Sequence, residues 1–129
     1  MHHAIQSYTL ITFVVVGLSH LLRPRDWADT YARLHRLGPT GAFINGGLSL
    51  LPGAALVAAH PVYAGPAIIV TLLGWALVLK GSVCLVAPSV ALRGMAAAAD
   101  TAAAGRRFIA AGILALAIAA GAAYALWKT

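Results

Sequence analysis

The chain has 129 residues, of which 61% are hydrophobic and only 9% charged, against about 25% charged in an ordinary soluble domain. Mean hydropathy is +0.87, and a soluble domain of this size buries only about two thirds of the surface its unfolded chain exposes, too little to hide so apolar a composition from water. The net charge of +6 comes from basic residues between apolar runs, where they act as topology signals, so no nucleic-acid partner is expected.

The first apolar run, Ala4 to Leu22, has the length of a transmembrane helix, since about 20 residues cover the ~30 Å hydrocarbon core. It lacks a Lys- or Arg-bearing start and a small-residue cleavage site, so it reads as a retained anchor rather than a signal peptide. A short amphipathic helix is expected next, from Asp26 to Leu37. Asp26 is a good N-cap, and Asp29 and Arg33 are spaced for an i,i+4 pair. Trp27, Tyr31 and Leu34 share its apolar face, and Arg33 and Arg36 suit anionic headgroups at the membrane interface. Gly38-Pro39 ends it.

The second run, Pro39 to Ala59, carries Gly41, Asn45, Ser49 and Gly53 at four-residue spacing, a stripe that lets helix backbones approach closely. A His60-Pro61 turn leads into the third run, Val62 to Ala87. The alanine-rich segment from Met95 to Gly105 favours helix and is expected to extend the third or fourth span. The fourth run, Phe108 to Trp127, has a second small-residue stripe at Ala111, Ala115, Ala119 and Ala123. A backbone at bilayer depth must satisfy its own hydrogen bonds, so each run is helical. The expected fold is all-α: one membrane domain over residues 1–129, an antiparallel bundle of four transmembrane helices with a short amphipathic cytoplasmic helix.

Arginine placement orients the bundle. Arg23, Arg25, Arg33 and Arg36 follow the first run, and Arg93, Arg106 and Arg107 follow the third. The other side holds only Lys128 among fixed cations outside the runs. The arginine-bearing loops are therefore cytoplasmic, and both termini, with His2, His3 and His60, face out. The alanine, glycine and leucine richness suits a bacterial chain, which places it in the bacterial inner membrane.

Lys80 is the most unusual residue because a lysine inside a span costs roughly 2.5–3.5 kcal/mol. Ser19, His20, Asn45 and Cys84 fall at similar depth toward the cytoplasmic side, and no Asp or Glu lies within a span. Lys80 must therefore turn to carbonyls, water, a lipid, an anionic ligand or another chain. Trp75 lies near mid-span and, with Lys80, is a candidate wall of a lateral pocket. Cys84 is the only cysteine, which excludes an intrachain disulfide. No phosphate-binding Gly-rich loop, haem-attachment motif, zinc-protease motif or nucleotide fingerprint is present. No metal site and no catalytic activity of its own are expected.

The stretch Gly17-Leu-Ser-His20-Leu-Leu-Arg-Pro24-Arg-Asp-Trp27, followed by Gly46-Gly47-Leu-Ser-Leu-Leu-Pro-Gly53, resembles DoxX-like small four-helix membrane proteins. The resemblance covers the first half of the chain and transfers no catalytic residue. It implies association with membrane oxidoreductase or quinol-oxidising complexes. Three functions follow as expectations. The first is an accessory subunit of a larger, energy-transducing membrane complex, its partners being lipids and other subunits or copies of itself. The second is a small oligomeric transporter or channel using Lys80, Asn45 and His20. The third is a membrane protein that binds a lipid or quinone.

Overall fold

The computed structural model describes residues 2–96 and 101–128. They form six helices: α1 (His2–Leu22), α2 (Pro24–Arg36), α3 (Pro39–Ala59), α4 (Ile68–Val86), α5 (Pro88–Ala96) and α6 (Thr101–Lys128). Of these, α1, α3, α4 and α6 are long and apolar enough to cross a membrane.

Prolines set several of the boundaries. Pro24 and Pro39 stand in the first turns of α2 and α3, where a missing N–H leaves no bond unmade and the fixed φ suits a helix. The short helix thus begins earlier than its sequence suggests, with Arg23 at the N-cap. Asp26 is not the cap; it sits in the first turn and accepts a bond from the Arg23 guanidinium. Asp29 and Arg33 both stay exposed, and the ion pair of this helix is Arg23–Asp26. Gly38, at φ 63°, turns the chain into α3, a conformation that side chains other than glycine's disfavour.

The third span is shorter than its apolar run. Residues 62–67 form a loop, with Gly65 at φ 69°, because Pro66 lacks the N–H that a helix begun at Val62 would need and disfavours the helical region for the residue before it. At the other end Ala87 leaves the helical region at φ −130°, as expected for a residue before proline. Pro88 then opens a separate helix, α5, that the hydropathy pattern does not show. In the alanine-rich segment, residues 97–100 lie outside the described residues, and Thr101 onward is continuous with α6.

The long helices pack in two close pairs. Along α3 and α4, Gly46 meets Cys84 and Leu85, Leu50 meets Gly81, Gly53 meets Leu77 and Val78, and Val57 meets Gly74. Along α1 and α6, Gly17 meets Gly112 and Leu116, and Gly112 also meets His20 and Leu21. Toward one end the pairs join through Leu56, Val70 and Ala122, flanked by Ile5, Leu10 and Leu73. Toward the other end α2 lies between them, its Ala28 packed on Ala104 of α6. It sits so close to α3 that a methyl on Gly41 would lie 1.7 Å from the Leu34 carbonyl oxygen.

The buried side chains are mostly small and apolar with polar ones among them, and large apolar side chains face outward, unlike the surface of a water-soluble protein. Gln6, Thr9, Asn45, Ser49, His60 and Thr71 are buried, while Leu48 is 71%, Leu51 74% and Val86 85% exposed. The exposed faces of all four long helices carry large apolar side chains.

Candidate binding cleft

The seat of α2 builds the site. Trp27 donates its indole N–H to Ser19 Oγ at 2.9 Å, and its ring stacks on His20 at 4.2 Å between centroids, 16° from parallel. Phe108 of α6 closes on both, 5.5 Å from His20 and 6.3 Å from Trp27. Tyr31, one turn along α2, meets the Phe108 edge at 5.8 Å. Rings the sequence distributes along an interface thus form one packed cluster. His20 Nδ1 donates to the Val16 carbonyl at 2.7 Å, which fixes the ring and leaves Nε2 as its remaining nitrogen. Trp27→Ala removes the indole bond and the stack together. It should free α2 to tryptic cleavage at Arg25 and Arg33 in detergent, whereas Ser19→Ala, which loses one bond worth ~1 kcal/mol, should leave α2 protected.

From that seat Tyr31 reaches α3. Asn45 Nδ2 donates to Tyr31 Oη at 3.0 Å and faces Met95 Sδ at 3.8 Å and Cys84 Sγ at 3.9 Å. Asn45 therefore ties α2, α3, α4 and α5 at one point. Beside it lies a cavity of 250 Å³ bounded by Tyr31, Asn45, Lys80, Cys84 and Met95.

A larger cavity of 390 Å³ opens on the other side of Tyr31 and Lys80, walled by His20, Arg107, Phe108 and Ala111. The two share Tyr31, Lys80 and Gly94, so they adjoin. Together they make a cleft whose walls come from α4 and α5 on one side and α1 and α6 on the other, with Tyr31 of α2 common to both parts. Lys80 Nζ lies 6.0 Å from the Tyr31 ring centroid, at the outer limit of a cation–π contact. Among the described residues no carboxylate pairs with Lys80 or Arg107. This cleft presents two fixed cations beside aromatic faces.

The sequence candidates divide accordingly. His20, Asn45, Tyr31 and Lys80 come together on the cleft. Ser19 lies against a separate hollow of 280 Å³ with Arg23, Asp26 and Thr30, and Trp27 borders that hollow too. Trp75 is 49% exposed and lines neither cleft cavity. Arg33 and Arg36 point away from α2's buried face and are exposed. Arg107, Phe108 and Met95 were not singled out from the sequence as site residues. The one signal for them is that Trp27, Ala28, Tyr31 and Ala32 form a helix face needing a partner. Among the described residues no three His, Cys, Asp or Glu side chains gather as metal ligands would.

A second polar cluster lies at the opposite end. His60 is fully buried. Its Nδ1 lies 3.2 Å from Thr71 Oγ1 and its Nε2 3.2 Å from Gln6 Nε2. The loop after α3 folds back over α4, and the Thr71 hydroxyl meets the carbonyls of His60 and Val62 at 2.8 and 2.7 Å.

Comparison with protein-family models, curated proteins and solved structures finds no match for this chain.

Proposed function

We propose that the chain is a multi-pass protein of the bacterial inner membrane whose lateral cleft receives the head of a membrane amphiphile, a lipid or a quinone. The observation that carries this reading is the cleft itself: a 390 Å³ cavity at the level of the one lysine inside an apolar span. Small-molecule sites commonly measure about 300–1,000 Å³. At the low end of that range there is room for a head or ring, with the chain left among the lipid tails.

Insertion is supported by the many large apolar side chains that face outward, since exposed faces this apolar are costly in water and neutral in lipid. Contact positions that rise along α3 fall along α4, as in an antiparallel pair. With four spans, the arginine segments share one side, taken as cytoplasmic, and both termini face out. The amphipathic α2 then lies at the cytoplasmic interface, and the cleft opens in the cytoplasmic half of the bilayer. A channel through one copy would have to pass the Leu56–Val70–Ala122 layer, so the closed end favours a binding site over a pore.

An accessory role in a larger membrane complex is the second reading. It is favoured by the breadth of the exposed apolar faces on α1, α3, α4 and α6, which suit another subunit as well as lipid. Native mass spectrometry from mild detergent separates the two. The amphiphile reading expects a retained lipid or quinone at one per chain. A bare chain, with every adduct lost under gentle activation, overturns it. Foreign subunits at fixed stoichiometry would instead support the accessory role.

A further inference from the structure

Resting on the amphiphile reading, we infer that the cleft selects an anionic phosphate head, held by Lys80 and Arg107. Two fixed cations from different helices, α4 and α6, face one cavity, and among the described residues neither has a carboxylate partner. Both residues are exposed, so their charges stand open to an incoming head rather than sealed in a dry core. A neutral quinone would leave both charges unbalanced. A phosphate monoester carries about −1.5 to −2 charge near neutral pH and balances them.

The donor types also suit phosphate. Arginine offers a planar fork that binds two phosphate oxygens at once, and lysine adds a compact charge with rotatable donors. His20, pinned through Nδ1 to Val16, holds its ring as part of the same cavity wall. Phe108 and Ala111 continue the wall with apolar surface, along which a hydrocarbon chain can leave the head. Basic pockets between spans on the cytoplasmic side are where anionic headgroups bind, and α2 supplies further arginines there.

The test uses the full chain in neutral phosphatidylcholine bilayers doped in turn with phosphatidate, with an uncharged quinone, or with neither while inorganic phosphate is added to the buffer. Retained ligand is read by native mass spectrometry. Phosphatidate should be retained over phosphatidylcholine and quinone. Lys80→Met and Arg107→Gln should each weaken that preference on the order of tenfold, as loss of a charged hydrogen bond does. Arg106→Gln, which alters an exposed neighbour outside the cleft, should leave it unchanged, and Arg107→Lys should retain part of it. Thermal unmasking of Cys84 checks that each variant is folded. Retention of quinone or phosphatidylcholine equal to phosphatidate, unaffected by the charge variants, overturns the anionic head but leaves the amphiphile reading. Inorganic phosphate bound as tightly as phosphatidate overturns the need for a tail. No retained amphiphile of any kind overturns both.

Discussion

Gly81→Ala is expected to separate α3 from α4, while Gly47→Ala leaves the pair intact. A methyl on Gly81 would lie 2.6 Å from the Leu50 backbone nitrogen, 2.7 Å from its Cβ and 2.8 Å from its Cα. Carbon contacts are most favourable near ~3.5–4.0 Å, so one helix must retreat by about 1 Å. The obstacle is helix backbone, which cannot rotate aside as a side chain can. Retreat at Gly81 also loosens the contacts at Gly46, Gly53 and Gly74, which belong to the same seam. Packing of this kind is the main force between helices in lipid, where no hydrophobic drive remains. Overpacking a tight site costs about 1–3 kcal/mol, and the backbone contact places Gly81→Ala at the upper end.

Gly46→Ala should fall between the two. Its methyl would lie 2.9 Å from Cys84 Cβ and from Leu85 Cγ, and the leucine can move. At Gly47 nothing lies within 4 Å, and alanine's helix preference over glycine, about 1 kcal/mol, favours the variant. The chain carries its own reporter: Cys84 is its only cysteine and is buried in the α3–α4 seam. A thiol-reactive dye in detergent should report unmasking at lower temperature for Gly81→Ala than for Gly46→Ala, with Gly47→Ala at or above the wild type. Equal melting of Gly81→Ala and the wild type would mean that close backbone approach does not hold this pair.

That seam was legible in the sequence, and its limits show what hydropathy can carry. Pro39 and Ala59 bound α3 where the apolar run begins and ends. The four-residue stripe of Gly41, Asn45, Ser49 and Gly53 is buried throughout. The stripe on α6 is only partly buried, since Ala111 is exposed at the cleft while Ala115 and Ala119 are buried. The run from Val62 is as apolar as a helix, but hydropathy does not register the donor lost at Pro66. The same blindness hides α5 behind Pro88.

The cleft depends on tertiary facts. Lys80 was conspicuous because a lysine in an apolar run is rare in itself. Its companions were not, because Tyr31 reaches Asn45 only after α2 has folded back along α3. Arg107 reads from the sequence as one of seven arginines setting orientation; its place on the cavity wall depends on how α6 packs against α1. One residue can serve both purposes. A cation at the end of a span can act as a topology signal and also stand where an anionic head would bind.

Thr71→Val is expected to destabilise the opposite end by roughly 2 kcal/mol, although it removes only a hydroxyl and preserves volume. Thr71 Oγ1 lies 2.8 Å from the His60 carbonyl and 2.7 Å from that of Val62. A hydroxyl has one proton, so it donates to one of these carbonyls at a time. Toward His60 Nδ1, 3.2 Å away, it must then accept, which places that ring's proton on Nδ1. The bare Nε2 accepts from Gln6 Nε2 at 3.2 Å. Interhelical hydrogen bonds in membranes average only ~0.6 kcal/mol, which would make the change small. Here one hydroxyl accepts from an imidazole N–H and donates to one of two loop carbonyls, and neither His60 nor Thr71 has any exposed surface through which water could substitute. The His60 carbonyl keeps the Val62 N–H at 2.8 Å, so the loss falls on the hydroxyl's contacts to the ring and to the Val62 carbonyl. A buried group stripped of a hydrogen bond costs about 1–3 kcal/mol, so the larger figure decides. Thr71→Ser keeps the hydroxyl and should lose only the methyl, about 0.8 kcal/mol. Gln6→Met removes a bond to His60 but also Gln6 Oε1, which is buried without a hydrogen-bond partner, so the two effects should nearly cancel. Thermal unmasking of Cys84 should therefore order the proteins as wild type and Gln6→Met, then Thr71→Ser, then Thr71→Val. Valine and serine variants that melt together would show that the hydroxyl does not hold the loop to α4.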